Sequence, residues 1–249
     1  MGNYNNFSLF YDIFTCDVDY KARTEYIMKI FEKWDKKPTL LLDFACGTGN
    51  FSVQFSKKGI DVIGVDCSEG MLATAMDKNY RLKNKVLYLN QRGSELDLFG
   101  TVDGAVSCLD SLNHITDKEE LQKTIEKISL FLEPNCLFVF DMNTPYKHKE
   151  VLSGSTYRMK KRGVECIWTN TLLEDGITIE IQLDFIYKAG LFKKETASEI
   201  VREKAYTNEE ITEMLTAAGL KLEAVYGENT FEAPKENSQR NIYVARKVN

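Results

Sequence analysis

Two carboxylates and a glycine loop carry the first recognisable chemistry in this chain of 249 residues. The run Leu40-Leu41-Leu42-Asp43-Phe44-Ala45-Cys46-Gly47-Thr48-Gly49-Asn50-Phe51 reads as an apolar strand that ends at an acid. Small residues and two glycines then lead straight into a helix. Glycines there let the backbone pass close beneath a ligand, and the N–H groups of the helix start face anionic groups. Roughly twenty residues on, a second strand, Val62-Ile63-Gly64-Val65, ends in Asp66, where a carboxylate can accept both hydroxyls of an adenosine ribose. The pair implies an adenosine-containing cofactor.

Two cofactors compete for such a loop. A dinucleotide site reads G-x-G-x-x-G, its third glycine allowing close helix–strand packing; here that place is Ser52. NAD carries a pyrophosphate, which an acid such as Asp43 would repel. S-adenosylmethionine (SAM) carries a sulfonium, an ammonium and one carboxylate, so the acid suits it. The stretch Asp43-Phe44-Ala45-Cys46-Gly47-Thr48-Gly49-Asn50 resembles motif I of the class I SAM-dependent methyltransferases. Within that family the chain is similar to small bacterial enzymes with an antiparallel insertion after the fifth strand, in the layout of glycine and sugar-nucleotide N-methyltransferases.

The resemblance implies roles for individual residues. Ala45, Gly47 and Gly49 would pack under the methionine portion of SAM, with Asp43 near its ammonium group. Asp66 would hold the ribose hydroxyls, and Cys67 and Met71 would lie beside the adenine. Leu109, between Cys108 and Asp110, would close the fourth strand where the family offers a backbone carbonyl to the ammonium. Many relatives place an acid after the third strand to meet the adenine amino group. This chain has Asn90-Gln91-Arg92-Gly93 there, and arginine accepts no hydrogen bond. Gln91 or backbone groups, or stacking by Arg92, would take over. Tyr4, Tyr11 and Tyr20 lie on an opening flap that folds over the cofactor in relatives, where Tyr11 can bond the SAM carboxylate.

Methyl transfer asks an enzyme to align a nucleophile behind the methyl carbon, exclude water and remove a proton. Acceptor groups belong at the C-terminal edge of the strands, where Asp110-Ser111-Leu112-Asn113-His114 sits. Imidazole titrates near neutral pH, which makes His114 the candidate base, or merely the start of a short helix. Asp110 either meets an acceptor amine or holds the loop. Trp168, Tyr157 and Tyr206 either line an acceptor pocket or support the insertion. His148, flanked by lysines, reads as solvated surface. Asn143-Thr144-Pro145-Tyr146 is similar to the box of amino-methylating DNA methyltransferases but follows the wrong strand, so it reads as a rigid loop.

Composition narrows the partners. A net charge of −5 argues against nucleic acid, DNA included, as substrate, and the resemblance implies a SAM-dependent methyltransferase acting on nitrogen or oxygen of a small, polar acceptor. No apolar run approaches the roughly 20 residues of a membrane span, and no signal segment opens the chain. Six scattered cysteines with no C-x-x-C, and two histidines, fit neither a zinc site nor a disulfide framework. No metal is expected, and a reducing cytoplasm is the simplest setting. A NAD-dependent oxidoreductase and a non-catalytic SAM-binding module stand as the alternatives.

Stepping of apolar residues at helical spacing makes the segment through Trp34 helical. Strands are then expected near Leu40–Asp43, Val62–Asp66, Val86–Leu89, Val102–Cys108 and Cys136–Asp141. Helices alternate with them near Asn50–Lys57, Glu69–Tyr80 and Asp117–Leu132, the last with a capping signature in Thr116 and Glu119. The expected fold is α/β, a Rossmann-like doubly wound, seven-stranded, mostly parallel sheet. The rhythm then changes: Ile177, Ile179, Ile181, Leu183, Phe185 and Tyr187 alternate with mainly polar neighbours, between turns at Glu174-Asp175-Gly176 and Ala189-Gly190. Residues 151–204 thus read as an antiparallel β insertion covering the acceptor site, and residues 1–150 and 205–249 as the SAM-binding domain. Thr207 with Glu210 should cap a further helix ended by Gly219, before strands at Leu220–Tyr226 and Asn241–Lys247.

Overall fold

The computed structural model describes residues 7–188 and 193–248. Tyr4 and the Ala189-Gly190 turn lie outside the described residues. The central sheet is built from β1 (Leu40–Phe44), β2 (Asp61–Asp66), β3 (Leu87–Asn90), β4 (Gly104–Ser107) and β5 (Leu137–Asn143). Near the C-terminus, β10 (Leu220–Gly227) and β11 (Arg240–Lys247) complete it. The order is β10-β11-β5-β4-β1-β2-β3, with β11 antiparallel to both of its neighbours and the other contacts parallel. Every residue of β5 is buried, as befits a strand covered on both faces.

Two apolar layers enclose this sheet. On one face lie α5 (Lys118–Phe131) and α6 (Asn208–Ala217), contributing Leu121, Ile125, Ile128, Ile211 and Leu215. On the other lie α2 (Tyr20–Lys33), α3 (Asn50–Lys57) and α4 (Glu69–Asn79), contributing Ile30, Phe31, Phe55 and Leu72. The seven-stranded, doubly wound expectation holds. The opening helix is divided: α1 covers only Tyr11–Phe14, and α2 begins after Asp19, whose side chain accepts the Ala22 N–H. The expected cap of α5 moves by one residue. Asp117, a better acceptor than the threonine before it, takes the Glu120 N–H at 2.8 Å. The Thr207–Glu210 capping box forms with both hydrogen bonds.

The insertion is a second sheet of four antiparallel strands: β6 (Thr156–Lys161), β7 (Val164–Leu172), β8 (Thr178–Lys188) and β9 (Lys194–Lys204). Its first hairpin turns through Arg162 and Gly163, both left-handed at φ +49° and +80°, the pairing a twisted two-residue turn requires. In β8, Ile179, Ile181, Leu183 and Phe185 are buried, so the period-two pattern does name the inner face. Phe7, Phe10 and Phe14 of the opening segment pack onto that face, and Phe10 meets Phe185 with ring centroids 4.8 Å apart.

Asn113 ties the insertion to the central sheet. It is wholly buried; its Nδ2 donates to the Lys204 carbonyl at 2.9 Å and the Asn143 carbonyl at 3.2 Å. Its Oδ1 accepts the Asn143 N–H at 2.9 Å. Asn113→Ala leaves those backbone groups buried without partners, at about 1–3 kcal/mol each. Urea denaturation should show a lowered midpoint with unchanged slope.

Candidate active site

The C-terminal ends of β1, β2 and β4 open onto one cavity. Of the residues expected at the cofactor, Tyr11, Ala45, Gly47, Asp66, Cys67, Met71, Gln91 and Leu109 line it, and so does His114. Arg92 is a correction: it is exposed and outside the wall, while Gln91 and Gly93 on either side of it lie within. The Gln91 side chain bonds the backbone of Asp97 in both directions, donating to its carbonyl and accepting its N–H. That end of the cavity is therefore bounded by a fixed loop rather than by a guanidinium.

Asp66 adjoins this loop, its carbonyl accepting the Gln91 N–H at 3.1 Å. Its Oδ2 accepts the Gly47 N–H at 2.8 Å and its Oδ1 accepts the Ser68 N–H at 2.8 Å. The Cys67 N–H also acts on this carboxylate, which keeps acceptor capacity for a hydroxyl. Burial lifts this carboxyl above its usual range, and the Ser68 and Gly47 N–H groups oppose the shift. Gly49 is left-handed at φ +74°, and a Cβ there would stand 2.3 Å from the Tyr88 hydroxyl, so both backbone and space require glycine.

A smaller cavity adjoins the first, lined by Asp43, Ala45, Gly47, Leu109 and the rings of Tyr11 and Tyr20. Asp43 is buried and accepts a hydrogen bond from Ser52, the residue standing at the third-glycine place. Burial pushes Asp43 up to about 7; Ser52 opposes this, and Asp66 adds to it. The Tyr20 hydroxyl is buried without a hydrogen-bond partner among the described residues. Burial, then Tyr20 and Asp110, raises the Tyr11 phenol, which keeps it a donor. An acid and two phenols suit the ammonium and carboxylate of an amino acid. A pyrophosphate would meet the acid.

The flap is latched over both cavities. Asp12 accepts from Thr48 Oγ1 at 2.7 Å and Asn50 Nδ2 at 3.0 Å, and pairs with Lys78 at 2.7 Å. Tyr11 is thereby held against the glycine loop.

A third cavity, of about 260 Å³, lies between the central sheet and the insertion. Tyr11, Leu109 and His114 belong to both this wall and the first, so the two spaces meet there. Leu109 and Asp110 are left-handed at φ +58° and +52°, a strain that needs local support. Asp141 on β5 supplies it, accepting the Leu109 N–H at 2.8 Å and the Asp110 N–H at 2.6 Å. Arg240 then bridges Asp141 at 2.7 Å and Asp110 at 3.0 Å. Burial works to raise the Asp110 carboxyl, but Arg240 and then Lys147 outweigh it and hold it near 2. Of the two roles open to Asp110, its contacts with Arg240 and Asn143 are those of a group holding the turn.

Glu203, Asn143, Lys147 and Arg240 line this third cavity and were not singled out from the sequence. Glu203 is buried near the end of β9. Its Oε2 accepts from Asn143 at 2.9 Å, and its Oε1 lies 3.7 Å from His114 Nε2. His148 is a second correction. It is wholly buried rather than solvated, bonded through Nδ1 to the Ile177 carbonyl at 2.8 Å, with Nε2 3.7 Å from Glu203 Oε2. Trp168 lines the cavity, its Nε1 donating to Asn170 at 2.7 Å. Tyr157 is exposed, and Tyr206 is buried with its hydroxyl on the Ile115 carbonyl.

Residues 41–135 match the methyltransferase domain family. The chain is 29% identical to a protein of Geobacillus sp. (strain WCH70) named as a methyltransferase, across 98% of this chain and 99% of that one. A crystal structure of an S-adenosylmethionine-dependent methyltransferase from Clostridium acetobutylicum ATCC 824 superposes with a TM-score of 0.88 at 27% identity, covering 99% of both chains. Along its whole length the chain is similar to proteins named as methyltransferases, one of them S-adenosylmethionine-dependent. A glycine/sarcosine N-methyltransferase of Halorhodospira halochloris matches at 30% identity over 50% of this chain and 47% of its own length.

The residues that line the first two cavities fit SAM chemically. Acceptor capacity on Asp66, an orphan phenol and a buried acid stand where hydroxyls, a carboxylate and an ammonium would need them. Among the described residues no helix is long and apolar enough to cross a membrane.

Asp43 gives this site a pH dependence. With its pKa raised to about 7, the empty site holds a proton on Asp43 below neutrality. A cationic ligand favours the charged form. SAM binding should therefore tighten as pH rises from about 6 to 8 and should release a proton. Calorimetry in buffers of different ionisation enthalpy measures that proton, and Asp43→Asn should abolish its release.

Proposed function

We propose that this protein moves the methyl group of SAM to nitrogen of a small-molecule amine. The observation that carries this reading is the junction of the cofactor cavity with the third cavity at Tyr11, Leu109 and His114, beside which Glu203 adds a carboxylate. The likeness to a glycine/sarcosine N-methyltransferase supports nitrogen as the acceptor atom.

The Glu203 carboxylate draws an amine in as its ammonium form, which has no lone pair to offer. A proton must leave before the nucleophile can meet the methyl carbon in line. His114 stands at the joint, with Glu203 beside its Nε2. An imidazole with a carboxylate 3.7 Å away can serve as the general base. When bound, SAM supplies a methyl group on a sulfonium, which departs as a neutral thioether. The rest falls to the chain. Asp66 anchors the ribose, Tyr11 and Tyr20 hold the carboxylate, the flap excludes water and His114 takes the proton. Asp141 and Arg240 keep the Leu109–Asp110 turn in the conformation that floors the site.

Asp66→Ala should weaken SAM binding by about 1–3 kcal/mol, the worth of a charged hydrogen bond, read by calorimetry. His114→Ala should lower turnover of an amine acceptor about a hundredfold or more and leave SAM affinity nearly unchanged. Equal rates would remove His114 from the reaction.

A further inference from the structure

The third cavity has two unlike ends. The end against the central sheet is polar and charged: Asp110, His114, Asn143, Lys147, Glu203 and Arg240. Glu203 aside, the insertion's share of the wall carries no charge: it is Met159, Trp168, Ile181, Leu183 and Val201, with Phe14 of the opening segment beside them. The polarity of Trp168 is already satisfied, because Asn170 accepts its N–H at 2.7 Å. Its ring therefore offers only an apolar surface. The alternation of β8 that hides Ile181 and Leu183 from solvent presents the same side chains to this space.

A small, wholly polar acceptor would use half of such a cavity. At the apolar end it would find no hydrogen-bonding partner, and water ordered there would gain little on release to it. An acceptor with a hydrocarbon portion uses both halves: its amine meets Glu203 and His114, and its body displaces water from the sheet face.

We infer that the acceptor is an amphipathic amine, a primary or secondary nitrogen on an apolar ring or chain, rather than a small polar amine such as glycine or a free amino sugar. The inference rests on the methyltransferase reading of the site and specifies the substrate class within it. The apolar wall sets specificity, and the charged end selects the nitrogen.

The test uses the whole chain saturated with S-adenosylhomocysteine, whose uptake is measured first by calorimetry. Straight-chain amines from propylamine to heptylamine, with glycine and glucosamine beside them, are then titrated by ligand-observed NMR. Affinity should rise roughly fourfold for each added methylene until the cavity is full, and hexylamine should bind at least tenfold more tightly than glycine or glucosamine. Met159 is half-buried, so Met159→Ser should fold and should flatten the chain-length dependence while S-adenosylhomocysteine still binds. Leu183→Asn should flatten it further. An affinity independent of chain length, or glycine binding as tightly as hexylamine, with S-adenosylhomocysteine bound, overturns the inference and leaves the methyltransferase reading intact. Failure to bind S-adenosylhomocysteine overturns both.

Discussion

A carboxylate buried beneath the first glycine loop sets the electrostatics of the cavity beside it. Asp43 ends β1 with its side chain enclosed and held by Ser52. A charge removed from water and left unpaired is costly, so such a group either stays protonated or waits for a cation. Here the waiting place is a cavity shared with two phenols and the backbone of the glycine loop. Phosphate-binding loops of similar outline rely on bare N–H groups at a helix start, and an acid in that position reverses the electrostatic preference. The same replacement explains Ser52. Its hydroxyl faces the carboxylate that a pyrophosphate site would lack.

The acceptor side depends on a second charged assembly. Asp141, Arg240 and Asp110 form a buried chain of ion pairs across β5, β11 and the turn after β4. Buried ion pairs contribute little net stability, yet losing one member leaves an uncompensated charge at large cost. Their value lies in position: they hold two consecutive non-glycine residues in left-handed conformation at the joint of the two cavities. The insertion reaches the same point through Asn113 and Glu203. A sheet that is separate in topology thus completes the wall that the central fold leaves open.

Much of this was legible in the residues. The glycine loop and Asp66 form a local pattern whose spacing reflects one crossover, and the alternation from Ile177 to Tyr187 reports burial on one face directly. What escaped was set by distant contacts. Arg240 meets Asp110 across 130 positions, and no local pattern links them. His148 sits between lysines, a solvated context by composition, but a wide helical turn over Lys147–Leu152 carries it under β8. Glu203 did leave a signal. It falls on the inward phase of β9 with Val201, where a charge must find partners. Thr116 misled because the next residue, Asp117, competes for the same cap. Arg92 occupies the place where relatives carry the adenine contact, but its side chain points outside the wall that its neighbours form.

A crystal structure of the chain with S-adenosylhomocysteine tests the central claim most directly. The account predicts the ribose hydroxyls on Asp66, the amino-acid end in the Asp43–Tyr11–Tyr20 cavity, and the sulfur facing the space beside His114. A nucleoside bound elsewhere, or its amino-acid end turned away from Asp43, would contradict it.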